Sequence, residues 1–235
     1  GAVYCHDPAA AGGGAGGLLW TIAPAHAGAV TGLAFSELAV LSAGQDGKLR
    51  AWSLGGRRCE YEFAEHQKAV SALVVDASDP TRVHTCGLDQ LVVTLDLKRH
   101  RRVTYHALRE GQFTAMCQRR EGDQELLTAT NDGMIFVWDV DEAGPVGMLR
   151  EPRAQRLNSV SLSPSGKYLA VTTEQGAELQ IWDIASGKPG TNTAPVAVGV
   201  AHAAAAKAAV WSPDEKQIIT VGKDGLVAVW NWFGE

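Results

Sequence analysis

The sequence predicts an all-β fold made of repeated four-stranded antiparallel sheets, and three observations carry that prediction. The phrase SAGQDGKLRAWSL, Ser42 to Leu54, returns as TCGLDQLVVTLDL (85–97), TATNDGMIFVWDV (128–140) and TVGKDGLVAVWNW (220–232), with a looser copy, TTEQGAELQIWDI, at 172–184. The large residues that close these phrases, Trp52, Leu95, Trp138, Trp182 and Trp230, follow one another at intervals of 43, 43, 44 and 48 residues. Self-similarity at such a period marks a repeat array. Between the turn signals the segments are short and alternate polar with apolar residues, as in KLRAW and CEYEF, which is the period of a half-buried strand.

Taken in order, Val3 to His6 reads as the third strand of a truncated unit, because Gly1–Asp7 lays over Gly47–Ser53. The run PAAAGGGAGG, 8–17, reads as a flexible loop, since glycine at this density disfavours fixed structure. Leu18–Ile22 then supplies the fourth strand. The first full unit takes strands at 29–35, 38–42, 48–54 and 59–63. The second takes 69–75, 82–86, 90–97 and 102–106, and the third 113–118, 125–130, 134–140 and 146–149. The fourth takes 158–162, 168–172, 178–184 and 196–200, with a long connection at 185–195. The last unit has strands at 206–212, 217–221 and 226–232 and no fourth. The single domain 1–235 therefore divides at 1–22, 23–65, 66–108, 109–151, 152–201 and 202–235. A chain that opens on Gly1 inside a unit is expected to be a piece of a longer protein.

Composition bounds function. The chain has 235 residues, of which 46% are hydrophobic and 20% charged, with a net charge of −5; that is ordinary for a globular protein and gives no global attraction for nucleic acid. No apolar run reaches the roughly 20 residues that span a bilayer, and no charged start leads into an apolar core as in a signal peptide. Cys5, Cys59, Cys86 and Cys117 form no CxxC pair and fall on strands. They read as small buried hydrophobes of a reducing, cytoplasmic interior.

The Trp-Asp endings and the period resemble the WD40-repeat family across nearly the whole chain, and the resemblance implies a β-propeller of four-stranded blades. Twenty-one strands fall short of the about 28 of a seven-bladed ring, and also of a six-bladed one, so an incomplete arc of a ring, most naturally seven-bladed, is expected. The family commonly ties each blade with a His, a Ser or Thr, an Asp and a Trp. That pattern places His26, Ser42, Asp46 and Trp52 in the first full blade, and His202, Thr220, Asp224 and Trp230 in the last. The second has His66, Thr85 and Asp89, with Leu95 in place of the indole. The third has Thr128, Asp132 and Trp138, with Arg109 in the His register. The fourth keeps Trp182, puts Arg153 in the His register, and carries an inserted residue near Gln175-Gly176 that displaces the Asp.

Ser, His and Asp recur once per unit beside an indole, which argues for structural networks rather than a catalytic triad. The seven histidines include no HExxH, and GGGAGG lacks the lysine of a phosphate loop. No enzyme activity, cofactor or metal is expected.

Function is expected on rim loops. The residues before the turn Asp, Gln45, Leu88, Asn131 and Lys223, with Glu174 their nearest equivalent, form one candidate partner-binding set. The basic hairpin with Lys98, Arg99, Arg101 and Arg102 forms another. Leu95–Lys98 resembles a degraded Trp-Asp-x-Arg box, by which some propellers join a cullin ubiquitin ligase. The last stretch, 210–233, resembles terminal repeats of large cilia- and centriole-associated WD-repeat proteins. It implies a scaffold bound to other proteins, tubulin or centriolar and ciliary components, with a cytoskeletal location. The rival readings are a ligase substrate receptor and a nucleic-acid or phospholipid binder working through residues 98–102.

Overall fold

The computed structural model describes residues 1–6, 17–53, 55, 58–119, 125–139, 142, 144–185 and 194–234. Of the two loops expected at 8–17 and 185–195, residues 8–16 and 186–193 lie outside the described residues. Every described element of regular structure is a strand. A first pair comprises β1 (Val3–His6) and β2 (Leu18–Ile22). Four four-stranded sheets follow: β3 (Val30–Phe35), β4 (Ala39–Gly44), β5 (Leu49–Ser53) and β6 (Cys59–Phe63); β7 (Val70–Val75), β8 (Arg82–Gly87), β9 (Leu91–Asp96) and β10 (Arg101–Ala107); β11 (Phe113–Gln118), β12 (Glu125–Thr130), β13 (Met134–Asp139) and β14 (Pro145–Arg150); and β15 (Leu157–Leu162), β16 (Tyr168–Thr173), β17 (Glu178–Asp183) and β18 (Ala197–Val200). A three-stranded sheet closes the chain, with β19 (Ala206–Trp211), β20 (Gln217–Gly222) and β21 (Val227–Asn231). Each sheet is an antiparallel meander in chain order, as short connections dictate.

Burial explains the sequence of each strand. In each four-stranded sheet the second strand is covered on both faces, so β4, AVLSAG, is a run of small and apolar residues buried throughout. Outer strands are half open and alternate, as in β6, CEYEF. The first strands β3, β7, β11, β15 and β19 neighbour one another in succession and so form the inner wall. Each of them is bulged two residues in, at Val30/Gly32, Val70/Ala72, Phe113/Ala115, Leu157/Ser159 and Ala206/Ala208. A bulge sharpens local twist, and five in one register give every sheet the same turn away from the inner wall.

The apolar cores lie between sheets rather than within them. Leu41 and Leu49 of the first four-stranded sheet pack on Val83 and Leu95 of the second. Cys86 and Val92 of the second meet Phe113 and Trp138 of the third. Leu127 and Ile135 of the third meet Leu169 and Trp182 of the fourth, and Leu179 and Ile181 of the fourth meet Trp211 and Ile218 of the last. Val3 and Ile22 of the first pair close on Val40 and Trp52. Face-to-face stacking of successive twisted sheets is the architecture of propeller blades. Among the described residues no core joins the last sheet to the first, and Val210, Ile219, Val227 and Val229 of the last sheet are exposed.

One backbone position repeats through all five later sheets. Gly47, Gln90, Gly133, Ala177 and Gly225 each stand five residues before the closing large residue and have φ of 75°, 71°, 84°, 52° and 77°. Glycine takes this conformation without penalty, whereas Gln90 and Ala177 hold it against a Cβ clash. At Gly47 an added Cβ would also lie 2.5 Å from the His66 carbonyl oxygen.

Candidate interaction surface

The repeated polar residues come first, because they fix the loops. In the first four-stranded sheet the Trp52 indole N–H donates to Ser42 Oγ at 2.8 Å. Ser42 Oγ lies 2.7 Å from His26 Nε2, and His26 Nδ1 lies 2.8 Å from Asp46 Oδ1. A carboxylate only accepts, so Nδ1 carries the ring proton and the Ser42 hydroxyl donates to Nε2. Burial pushes the Asp46 carboxyl pKa up, but hydrogen bonds from His26, the Ala27 N–H and Arg50 hold it well below the usual carboxylate range. The last sheet repeats the chain, with His202 at 3.1 Å from Asp224 and 2.9 Å from Thr220, and Trp230 at 2.9 Å from Thr220. In the second sheet His66 bridges Asp89 at 3.0 Å and Thr85 at 2.9 Å, and buried Leu95 fills the indole's place.

The third and fourth sheets are built differently. Trp138 still donates to Thr128 at 2.8 Å, but Arg109 is exposed and Asp132 accepts from the Thr130 hydroxyl instead. In the fourth sheet Trp182 pairs with Leu169, as Trp138 pairs with Leu126. The hydroxyl register therefore falls on Val171 and the Asp register on Gly176. The inclusion of Trp182 in a hydrogen-bonded network is thereby corrected: it is fully buried, and its indole N–H has no partner among the described residues. A different cluster ties this blade. Glu151, 1% exposed, accepts from Gln155 Nε2 and Gln180 Nε2, and from the Arg153 and Gln155 main-chain N–H groups. Arg153 grips both oxygens of Glu178 at 2.6 and 2.7 Å.

A small residue decides which arrangement a blade adopts. Where histidine is present, the residue two before the turn Asp is Gly44, Gly87 or Gly222. A Cβ there would sit 2.2, 2.7 or 2.5 Å from the ring's Nδ1. Where it is absent, Thr130 or Thr173 fills the space.

Besides the Glu151 cluster, a second network lies outside what the sequence predicts. His84, fully buried on β8, lies 3.0 Å from Asp76 Oδ2 and 3.0 Å from Thr94 Oγ1. Asp76 also accepts from Ser78 and from the Asp79 N–H. These residues fall outside the repeated register, so only the buried pairing itself reveals them. All three of Asp76, His84 and Thr94 are buried, so the arrangement is closed to substrate. Among the described residues no group of three or more His, Cys, Asp or Glu side chains is placed to hold a metal ion.

The five rim residues share one geometry. The N–H groups of Gln45, Leu88, Asn131, Glu174 and Lys223 donate to Ala29, Ala69, Gln112, Arg156 and Ala205 carbonyls at 2.9–3.0 Å. Each turn is thus laced to the loop entering its own blade. Side chains of Gln45 and Asn131 add to the lacing, accepting from Ala29 and Gln112 N–H groups. Glu174 joins Lys223 at 2.6 Å and Lys207 at 3.1 Å across a blade seam. The Lys223 ammonium holds the Glu174 carboxyl down at about 2 against the opposing effect of burial. Half-buried Leu88 is the member of the set that makes no side-chain tie of this kind.

On the opposite rim stands the basic hairpin between β9 and β10. Asp96 turns back into it, accepting from the Lys98 and Arg99 N–H groups at 2.9 and 2.8 Å, and Leu95 is buried. The segment likened to a ligase-adaptor box is thus spent on its own turn. A cavity of about 620 Å³ opens along the inner wall at this end, lined by Val75, Met116, Arg119, Leu162 and Trp211 among others. The cysteines are all free. Burial drives the Cys117 thiol up to about 12 and that of Cys86 higher still; Cys59, expected to be buried, is exposed because its strand is outermost.

Comparison with known proteins agrees with this architecture. The family model described as WD domain, G-beta repeat, matches residues 16–53 and 194–231. Cilia- and flagella-associated protein 52 of Sus scrofa is 27% identical over 221 residues, 92% of this chain and 34% of that protein. Its counterpart in Chlamydomonas reinhardtii is 25% identical over 222 residues, again 92% of this chain. Periodic tryptophan protein 2 of Arabidopsis thaliana is 24% identical over 187 residues, 79% of this chain. The chain spans about a third of the length of the cilia-associated relatives. No helix among the described residues is long and apolar enough to cross a membrane.

Proposed function

We propose, from the premise that this chain belongs to the WD40-repeat family, that it is a non-catalytic protein-interaction scaffold working in a microtubule-attached, cilium-associated assembly. The observation that carries this reading is how the polar residues are used. His, Ser or Thr and Asp side chains that would suggest chemistry are consumed in tying the first and second four-stranded sheets and the last sheet. What is left for function is a pair of rims whose turns are laced in place by repeated hydrogen bonds, and loops on a stiff scaffold are where binding residues sit. The cilia- and flagella-associated relatives support the cilium as the place, with tubulin or ciliary and centriolar proteins as partners. Internal use of Asp96 and Leu95 gives no support to the ligase-receptor alternative.

The test is fractionation of the full-length tagged protein from ciliated cells. The reading expects it in the detergent-resistant axonemal fraction. Recovery only in the soluble fraction, bound to ligase adaptors, overturns it.

A further inference from the structure

The hairpin joining β9 and β10 carries Lys98, Arg99, Arg101 and Arg102 within five residues of a chain whose net charge is −5. Its tip is held rigidly. Tyr61 of the preceding sheet donates its hydroxyl to the His100 carbonyl at 2.9 Å, and the two rings stack with centroids 4.2 Å apart. His100 sits at φ 53°, a left-handed conformation that this packing holds. From below, Asp96 fixes the Lys98 and Arg99 backbone. Arg99, 70% exposed, leans on Asp96, and Arg102 pairs with Glu65 and lies over the Tyr105 ring. Lys98 and Arg101 are exposed and have no partner among the described residues. Cations on a preorganised turn bind without the ordering cost that a mobile loop would bear.

We propose that this hairpin tip is a docking site for an acidic polypeptide segment, rich in Asp and Glu, on a partner protein. This rests on the scaffold reading above and names the partner chemistry at one face of it. The surroundings select among polyanions. Glu65, paired with Arg102, and Asp96, paired with Arg99, stand among the cations. A DNA duplex, with one charge per about 1.7 Å of axis, would press phosphates onto those carboxylates. An extended acidic chain is narrow enough to engage Lys98 and Arg101 alone. Exposed Val103 and Tyr105 on β10 offer apolar contact alongside.

The experiment titrates a fluorescent glutamate-rich peptide into the full-length protein at low and high salt, with a DNA duplex and phosphatidylserine vesicles as rival probes. The expected result is salt-weakened peptide binding that falls about tenfold or more in Lys98→Glu/Arg101→Glu, two charge contacts each being reversed. Lys68→Glu, on the opposite rim, leaves it unchanged. Tyr61→Phe keeps every cation but removes the hydroxyl tie to the His100 carbonyl, and weakens binding by about threefold. Unchanged peptide affinity in the charge-reversed variant overturns the proposal, as does tighter binding of the duplex or the vesicles at equal ionic strength. The two failures are distinguishable. Peptide affinity says nothing about axonemal fractionation of the wild-type protein, whose loss overturns the scaffold reading whatever the hairpin binds.

Discussion

Gly44→Ala tests the physical basis of the first full blade most sharply. The new Cβ would lie 2.2 Å from His26 Nδ1 and 2.6 Å from Asp46 Oδ1. Neither atom can retreat cheaply. The His26 ring is 2% exposed and its two nitrogens are committed to Asp46 and Ser42 at 2.8 and 2.7 Å. Overpacking of a filled site costs about 1–3 kcal/mol, and leaving a buried hydrogen-bonding group unpaired costs about 1–3 kcal/mol. The two overlap, since moving the ring relieves the clash by breaking the bond, so a loss of about 3 kcal/mol is expected. For a chain of this size that lowers the thermal midpoint by roughly 6–12 °C. Because repeat arrays unfold partly by unit, amide exchange on β4 and β5 should accelerate more than on β16 and β17. The variant Gly44→Thr combined with His26→Arg copies the third blade and should recover part of the loss. A Gly44→Ala protein within about 0.5 kcal/mol of wild type would refute the reasoning that glycine is there to admit the histidine.

Four other outcomes follow from the same structure. Val171→Thr places a hydroxyl in the register of the unpartnered Trp182 N–H, so it should cost about 1 kcal/mol less than Val83→Thr, where no donor waits, as read by urea unfolding. Ala177→Gly relieves a left-handed alanine and should stabilise by about 1 kcal/mol, whereas Gly47→Ala destabilises. Glu151→Ala strips the acceptor from four N–H groups and should cost about 3 kcal/mol, with Arg153 losing its order in amide exchange and side-chain spectra. Glu174 has a depressed carboxyl pKa, so its contribution is present above 4.5 and lost as pH falls from 4.5 to about 2. The stability difference between wild type and Glu174→Gln should shrink over that interval; a difference independent of pH would contradict the Lys223 pairing.

The strands were legible because turn chemistry and period agree at every repeat. Asp-Gly turns at 46–47, 132–133 and 224–225 fix where strands end, and the structure shifts most boundaries by a residue at most. The five inner-strand bulges were not legible, since a bulge needs no particular residue when Val30, Phe113 and Ala206 all precede one. The fourth blade shows the limit of reading by phrase. Thr172 sits beside the hydroxyl position, but one extra residue in the turn moves Val171 into register, and register shifts exchange the faces of a strand. The Gly-or-Thr choice at 44, 87, 130, 173 and 222 was present in the sequence, yet its meaning depends on where the histidine ring lies. Asp76, His84 and Thr94 left no repeated trace, being a pairing made once. Among the rim residues, Gln45 and Asn131 looked free in sequence and are tied to their own loops, because a side-chain amide near a turn finds the nearest backbone N–H.

The most direct test of the scaffold account is crosslinking mass spectrometry of the full-length protein in its native assembly. The account predicts crosslinks from Lys98 and Lys223, on the two rims, to tubulin or to other structural components of the cilium. Crosslinks from both lysines confined to ligase adaptors and changing clients would contradict it.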